Sequence, residues 1–102
     1  MTNKIIDIVA ITACPTGIAH TYMAAEKLEQ AAKKRGYTIK VETQGSMGVE
    51  NRISQEEVDK ADVAIFAADI AVSDRERFAN IKIIEVPVHQ VLKNCDEIFN
   101  QI

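Results

Sequence analysis

The first forty residues change from one periodic pattern to another. Residues 5–11 are apolar and mostly β-branched, with Asp7 as the only interruption, which is typical of a parallel strand buried on both faces. After a stretch of small residues, apolar positions return at helical spacing with charged residues opposite them; they are Ala24, Ala25, Leu28, Ala31 and Ala32. The pattern predicts a strand and then a helix, which Gly36 ends as a left-handed cap.

Three further strands are predicted downstream. Residues 37–43 alternate apolar and polar positions, as a strand at a sheet edge with one wet face does. Residues 63–68 are continuously apolar and indicate a central strand, and residues 81–86 form a fourth. We interpret residues 44–48, with two glycines, as a loop.

Two shorter signals mark the helices of the second half. Ser54 and Glu57 have the spacing of a capping box, with Ile53 and Val58 placed as its hydrophobic staple. Residues 69–80 form a polar connection that has room for one helical turn at residues 75–78. The last helix begins at Pro87, and its apolar stripe consists of Val88, Val91, Leu92, Cys95, Ile98 or Phe99, and Ile102. Asn94 and Glu97 are spaced as a second cap, which would break this helix in two.

The order of these elements predicts an α/β fold in three layers. Strands that alternate with helices pair in parallel through right-handed crossovers. With the alternating strand at the edge and the apolar strands in the middle, we expect a four-stranded parallel sheet in the order 2-1-3-4. Helices would cover both faces, as in Rossmann and flavodoxin-like folds. Ligands of such sheets bind beyond the carboxyl ends, between strands one and three, where residues 12–20 lie.

Composition narrows the functional classes. The chain has 102 residues and a net charge of −3, from 12 basic and 15 acidic residues, so we expect one domain spanning residues 1–102 and no nucleic-acid partner. The longest apolar run has six residues, too few to insert into a membrane. Two cysteines are too few for a disulfide scaffold, so we expect reduced thiols in a cytoplasmic protein.

Cys14 is the strongest candidate for chemistry. It follows the first strand and precedes the first helix, whose free N–H groups favour a thiolate and can hold an anion. Gly17 would let the backbone close around a phosphate, Pro15 would stiffen the turn, and Thr16 and Thr21 offer hydroxyl donors. The pattern favours a nucleophilic thiolate in a phosphate-binding loop, and the alternative is an ordinary buried cysteine.

The other cysteine and the two histidines carry weaker signals. Cys95 lies on the apolar stripe of the last helix and is expected to pack in the core. His89 lies on the polar face of that helix. His20 occupies the position that arginine holds in cysteine phosphatases of similar loop design; it could donate a hydrogen bond to phosphate, orient the loop, or simply pack.

A family resemblance adds to this interpretation. Residues 8–25, with Cys14-Pro15-Thr16-Gly17-Ile18-Ala19-His20-Thr21 at their centre, strongly resemble the fructose-type enzyme IIB component of the bacterial sugar phosphotransferase system. The similarity covers nearly the whole chain and continues through residues 40–46, 50–51, 61–63, 67–72, 77–78 and 85–87.

The resemblance implies a phosphocysteine carrier. Cys14 would accept a phosphoryl group from a phosphohistidine on a IIA component, residues 15–21 would form its phosphate loop, and a membrane-embedded IIC permease would present the sugar. Fructose is the family-level expectation, and other hexose derivatives stay open. Neither a cofactor nor a metal is expected.

Two alternatives from other classes stay open. A small phosphatase or arsenate reductase would share the cysteine loop, but this loop lacks the arginine and the chain lacks an Asp-Pro pair, although Asp69 or Asp74 could supply an acid. A regulatory or nucleotide-binding module would make Cys14 incidental, but no G-x-G-x-x-G follows the first strand. The loop at residues 44–51 is either a partner-docking segment or a plain connection.

Overall fold

The computed structural model describes residues 6–14, 18–45 and 48–102, and for residues 18 and 19 it describes only the backbone. In chain order its elements are β1 (Asp7–Ala13), α1 (Ile18–Lys34), β2 (Thr38–Gly45), β3 (Gly48–Glu50), α2 (Gln55–Lys60), β4 (Val63–Ala68), a 3₁₀ turn (Arg75–Phe78), β5 (Ile83–Val86) and α3 (Val88–Phe99). In the described part of the chain, no helix is both long and apolar enough to cross a membrane.

The sheet has the order β3-β2-β1-β4-β5. Its four longer strands pair in parallel in the predicted sequence, so the predicted α/β topology is confirmed. The predicted number of four strands was wrong, because β3 pairs antiparallel with the end of β2. The prediction of a loop at residues 44–48 was wrong for the residues described, since Gln44 and Gly45 end β2 and Gly48, with a φ of +95°, begins β3. Residues 46 and 47 lie outside the described residues. A three-residue strand is too short to show a hydrophobic period.

Helices cover both faces of the sheet and divide the core into two clusters. The first cluster lies under α1 and α3 and includes Ile8, Ala10, Cys14, Leu28 and Ile65. The second lies under α2 and the 3₁₀ turn and includes Ile11, Ala13, Val58, Phe66 and Phe78. Because successive strand residues point to opposite faces, neighbouring residues such as Ala13 and Cys14 belong to different clusters.

The predicted caps are present. Gly36 ends α1 with a φ of +74°. The Ser54 side chain accepts from the Glu57 N–H, and Glu57 accepts in return from the Ser54 N–H. Asn94 breaks α3 with φ −155° and ψ 79°, and its side chain accepts from the N–H of Glu97 at 3.3 Å, as expected of a second cap.

One expectation about β2 was wrong. The alternation placed Glu42 on a solvated face, but Glu42 is fully buried, and Thr43 and Gln44 beside it are also buried. Only the first half of β2 behaves as an edge strand. The 3₁₀ turn covers the second half, since Arg77 lies against Glu42.

Candidate functional site

Cys14 lies directly after β1, at the carboxyl edge of the sheet and between two strands that pair with β1. Its side chain is 4% exposed and belongs to the cluster under α1 and α3. In the register, Ala13 pairs with Gln44 of β2 and with Ala68 of β4. Cys14 is therefore at the switch point where α/β sheets of this type bind ligands, as predicted.

The predicted phosphate loop is described only in part. Pro15, Thr16 and Gly17 lie outside the described residues. Ile18 and Ala19 begin α1. His20 is exposed in the first turn of that helix, whereas Thr21 is buried.

A buried hydrogen bond fixes the start of α1 against the end of β1. The Thr12 hydroxyl donates to the carbonyl of Thr21 at 3.2 Å, and both residues are buried. The sequence pattern places Thr12 at the start of the 12–20 stretch and predicts no role for its side chain. Its position, two residues before Cys14, sets where the helix begins relative to the thiol.

Asp69 connects the site to α3. Its backbone N–H donates to the carbonyl of Ala13 at 2.9 Å, which extends the pairing of β1 and β4 by one residue. Its carboxylate accepts from the N–H of Val88, the first residue of α3, at 3.1 Å. Asp74, the other acid considered from sequence, forms an ion pair with Arg52 at 2.8 Å. Both carboxylates thus have structural partners.

Apolar side chains are exposed near this edge of the sheet. They are Tyr22, Met23, Val49 and Ile70. Tyr22 and Met23 follow the first turn of α1, Val49 lies on β3, and Ile70 comes two residues after β4. The Tyr22 hydroxyl donates to the carboxylate of Glu50, and this hydrogen bond, with lesser contributions from partial desolvation and the negative charge of Glu50, raises the pKa of Tyr22. That contact joins α1 to β3.

A buried polar network lies on the face of the sheet that is opposite to Cys14, under α2 and the 3₁₀ turn. The Glu42 carboxylate accepts from both terminal nitrogens of Arg77, at 2.9 and 3.1 Å, and from the N–H of Ile53 at 2.8 Å. The Gln44 amide donates to the same carboxylate at 2.7 Å. Burial raises the pKa of Glu42, but the hydrogen bonds from Arg77, Gln44 and Ile53 outweigh it, so the pKa lies below its usual value. No local pattern indicates this network, because Arg77 is 35 residues from Glu42.

Cys95 has the environment of a packing residue. It is half-buried against the first core cluster, and its Sγ lies 3.7 Å from the carbonyl oxygen of Lys27. Burial and the neighbouring Asp96 carboxylate raise the pKa of the thiol to about 11. A cysteine held as a thiol is a poor nucleophile, and this agrees with the core role predicted for Cys95.

The fold and the site define a class of small α/β proteins with a cysteine between the first strand and the first helix. The family model described as "PTS system, Lactose/Cellobiose specific IIB subunit" matches residues 9–101. The chain belongs to this family of phosphotransferase-system IIB components. Members of the family are phosphotransferases that pass a phosphoryl group from IIA toward the sugar bound by IIC.

Curated relatives are named for fructose-like systems. The chain is 59% identical to the fructose-like EIIBC component of Escherichia coli, covering 93% of the chain and 20% of that protein. It is 50% identical to the fructose-like EIIB component 2 of Escherichia coli, covering 93% of the chain and 90% of that protein. These relatives confirm the fructose-type IIB resemblance.

Solved structures agree with the fold. A domain of the fructose-specific IIABC component of Borrelia burgdorferi superposes with a TM-score of 0.91 at 46% identity, covering 96% of this chain and 93% of that chain. A predicted fructose-specific IIB from Escherichia coli gives a TM-score of 0.93 at 36% identity, covering 96% of this chain and 87% of that chain.

Proposed function

We propose that this chain is a phosphocarrier and that the phosphorylated atom is Sγ of Cys14. The observation that carries the proposal is the place of Cys14, at the carboxyl end of a central strand, four residues before α1 begins. Cys95, the other cysteine, is held as a thiol.

The phosphoryl group is transferred in two steps. The Cys14 thiolate attacks the phosphorus of a phosphohistidine; the S–P bond forms, the P–N bond breaks, and the electron pair of that bond stays on the imidazole nitrogen. A sugar hydroxyl then attacks the same phosphorus; the O–P bond forms, the hydroxyl gives up its proton, and the S–P bond breaks to return the thiolate. The carrier itself is unchanged over the cycle.

Residues 15–21 are proposed to surround the phosphoryl group. N–H groups at the start of a helix stabilise negative charge, and α1 begins at Ile18. His20 is exposed in this first turn and available to donate one hydrogen bond to a phosphoryl oxygen. Thr21 is buried and its carbonyl accepts from the Thr12 hydroxyl, so we assign Thr21 to holding the loop in place.

The partners follow from the same proposal. The donor is a IIA component with a phosphohistidine and the acceptor is a sugar, for which we propose fructose, held by a membrane IIC permease. Relatives named EIIBC and EIIABC carry the B component together with these other components. We place the single domain in the cytoplasm, against the permease.

The exposed apolar residues on the elements at the carboxyl edge of the sheet are proposed to contact these partners. Tyr22, Met23, Val49 and Ile70 come from three different segments, and we propose that they form one surface, because contiguous apolar patches mark interaction sites. Val49 on β3 belongs to the loop region at residues 44–51 that the sequence offered as a docking segment. We expect Val49→Ser to raise the KM for the IIA donor and to leave the melting temperature unchanged; an unchanged KM would remove β3 from the interface.

Phosphorus NMR tests the carrier function. We expect a thiophosphate signal after incubation with a phosphorylated IIA component, and persistence of that signal when no sugar or permease is present. Cys14→Ser should abolish the signal and Cys95→Ser should keep it. Phosphate on the Cys14→Ser variant would contradict the assignment.

A phosphatase would give a different result. Steady, Cys14-dependent release of phosphate from an aryl phosphate such as p-nitrophenyl phosphate would contradict the carrier function. We expect no such turnover, because a hydrolase also needs a group that protonates the leaving oxygen. The two acids considered from the sequence, Asp69 and Asp74, instead accept hydrogen bonds from the N–H of Val88 and from Arg52.

A further inference from the structure

The Gln44 side chain pairs with the backbone of Ser73 in both directions. Its Oε1 accepts from the Ser73 N–H at 2.9 Å, and its Nε2 donates to the Ser73 carbonyl at 3.2 Å. An amide side chain thus takes the place of a neighbouring strand for one residue of the segment that follows β4. Gln44 itself is buried at the end of β2.

The ion pair beside Gln44 fixes which way its amide points. A carboxylate only accepts hydrogen bonds, so the Glu42 oxygen 2.7 Å away requires the NH₂ end of Gln44. The carbonyl end of Gln44 is thereby directed to the Ser73 N–H. Arg77, which neutralises Glu42, also donates to the Ser73 carbonyl at 3.3 Å.

The contact between Gln44 and Ser73 crosses the end of β1. Gln44 belongs to the strand on one side of β1, and Ser73 follows the strand on its other side. Ala13, which pairs with Gln44 and belongs to the core cluster on this face, lies between them, directly before Cys14. The segment from Asp69 to Ser73 is thus held at both ends: by the Asp69 N–H on Ala13 and by Gln44 on Ser73.

A buried ion pair is a poor device for stability alone, since apolar residues of similar size often stabilise a core as well or better. Directional bonds do what apolar contacts cannot, because they fix the position of one backbone segment relative to another. Here the segment that they fix is adjacent to the proposed nucleophile.

We propose that Gln44, oriented by the Glu42–Arg77 pair, is a positioning residue that holds residues 69–73 against the end of β1 and so sets the geometry of Cys14. The effect of Gln44 on phosphoryl transfer rests on the proposed function, whereas its effect on the position of residues 69–73 does not. In-line transfer is sensitive to small displacements, of which about 1 Å can cost on the order of 100-fold in rate.

Amide hydrogen exchange of Gln44→Met tests the placement. Met has a similar size, and Glu42 keeps its three bonds to Arg77 and Ile53, so we expect the variant to fold. The Asp69 N–H, whose own partner is the Ala13 carbonyl, should exchange about tenfold faster or more, whereas the N–H of Ile65 in the centre of β4 should keep its protection. Unchanged exchange at Asp69 would overturn the proposal.

Transfer kinetics test the consequence. With a phosphorylated IIA component as donor, we expect kcat of Gln44→Met to fall by on the order of 10- to 100-fold and KM to stay within about twofold. Gln30→Met, on the exposed face of α1, is the matched control and should transfer at the wild-type rate. Equal rates in the two variants would overturn the positioning role.

The two measurements separate this proposal from the carrier function. If the wild-type chain accepted no phosphate while Asp69 exchanged faster in Gln44→Met, the carrier function would fail and the placement would stand. If the wild type accepted phosphate and Asp69 exchanged at the same rate in both, the placement would fail alone.

Discussion

The two faces of the sheet are built differently. Under α1 and α3 the core is almost entirely apolar. At the carboxyl edge of this face lie Cys14 and the hydrogen bond between Thr12 and Thr21. Under α2 and the 3₁₀ turn, the apolar cluster is joined at that edge by a buried carboxylate, a guanidinium and an amide.

The two faces therefore contribute to the site in different ways. Apolar contacts are non-directional, which suits the face where two helices pack broadly on the sheet. Hydrogen bonds between charged groups are directional and short, which suits the face where loops without regular structure must be placed. The nucleophile is on the first face, and the bonds that fix its neighbouring segment are on the second.

The largest expected effect is the loss of stability when the buried ion pair of the second face is broken. Glu42→Ala leaves the Arg77 charge buried without its partner, so we expect a loss of about 3–5 kcal/mol in the free energy of unfolding. The double variant Glu42→Met/Arg77→Met should recover most of that loss, because neither charge remains. Urea denaturation of both variants measures this, and a double variant as unstable as Glu42→Ala would contradict the comparison.

Cys95 gives the next largest effect and reports on the apolar face. Its pKa rises from the ordinary 9.0 to about 11, which lowers the thiolate fraction at neutral pH by about 100-fold. In a Cys14→Ser background, iodoacetamide should therefore label Cys95 at least about 100-fold more slowly in the folded protein than in denaturant. Similar rates in both states would show that Cys95 is not packed as described.

A smaller effect is expected at the helix of the second face. Ser54→Ala removes the side chain that accepts from the Glu57 N–H, and loss of an N-cap costs about 1 kcal/mol. Thermal unfolding should show a correspondingly lower melting temperature. Ser54→Asp keeps an acceptor at the cap and should stay near wild type; a loss as large as that of Ser54→Ala would mean that α2 does not depend on its cap.

The smallest expected effect is the pH dependence of the ion pair. The pKa of Glu42 is lower in the folded protein than its ordinary 4.5, so its contribution to stability is complete above about 4.5 and is lost as the pH falls through the folded pKa. Unfolding measured between pH 6 and about 3 should therefore show a weaker acid dependence for Glu42→Met/Arg77→Met than for wild type. An identical acid dependence would mean that Glu42 titrates alike in both states.

Local patterns were enough to predict most of the fold. The apolar run of β4, the capping box at Ser54, the cap at Gly36 and the break at Asn94 each depend on neighbours within a few residues, and all are present. Cys14 could be placed at the switch point because its position depends only on the order of strands and helices.

Patterns among neighbouring residues therefore account for the order of the elements, their caps and the placement of one cysteine between a strand and a helix. The folded chain adds that β3 completes the sheet and that Glu42 and Gln44 are buried. Both additions depend on distant partners: a three-residue strand exists only through its pairing with β2, and a buried carboxylate is tolerated only with Arg77, 35 residues away. Such partners come together only when the chain folds, and no periodic pattern in the sequence indicates them.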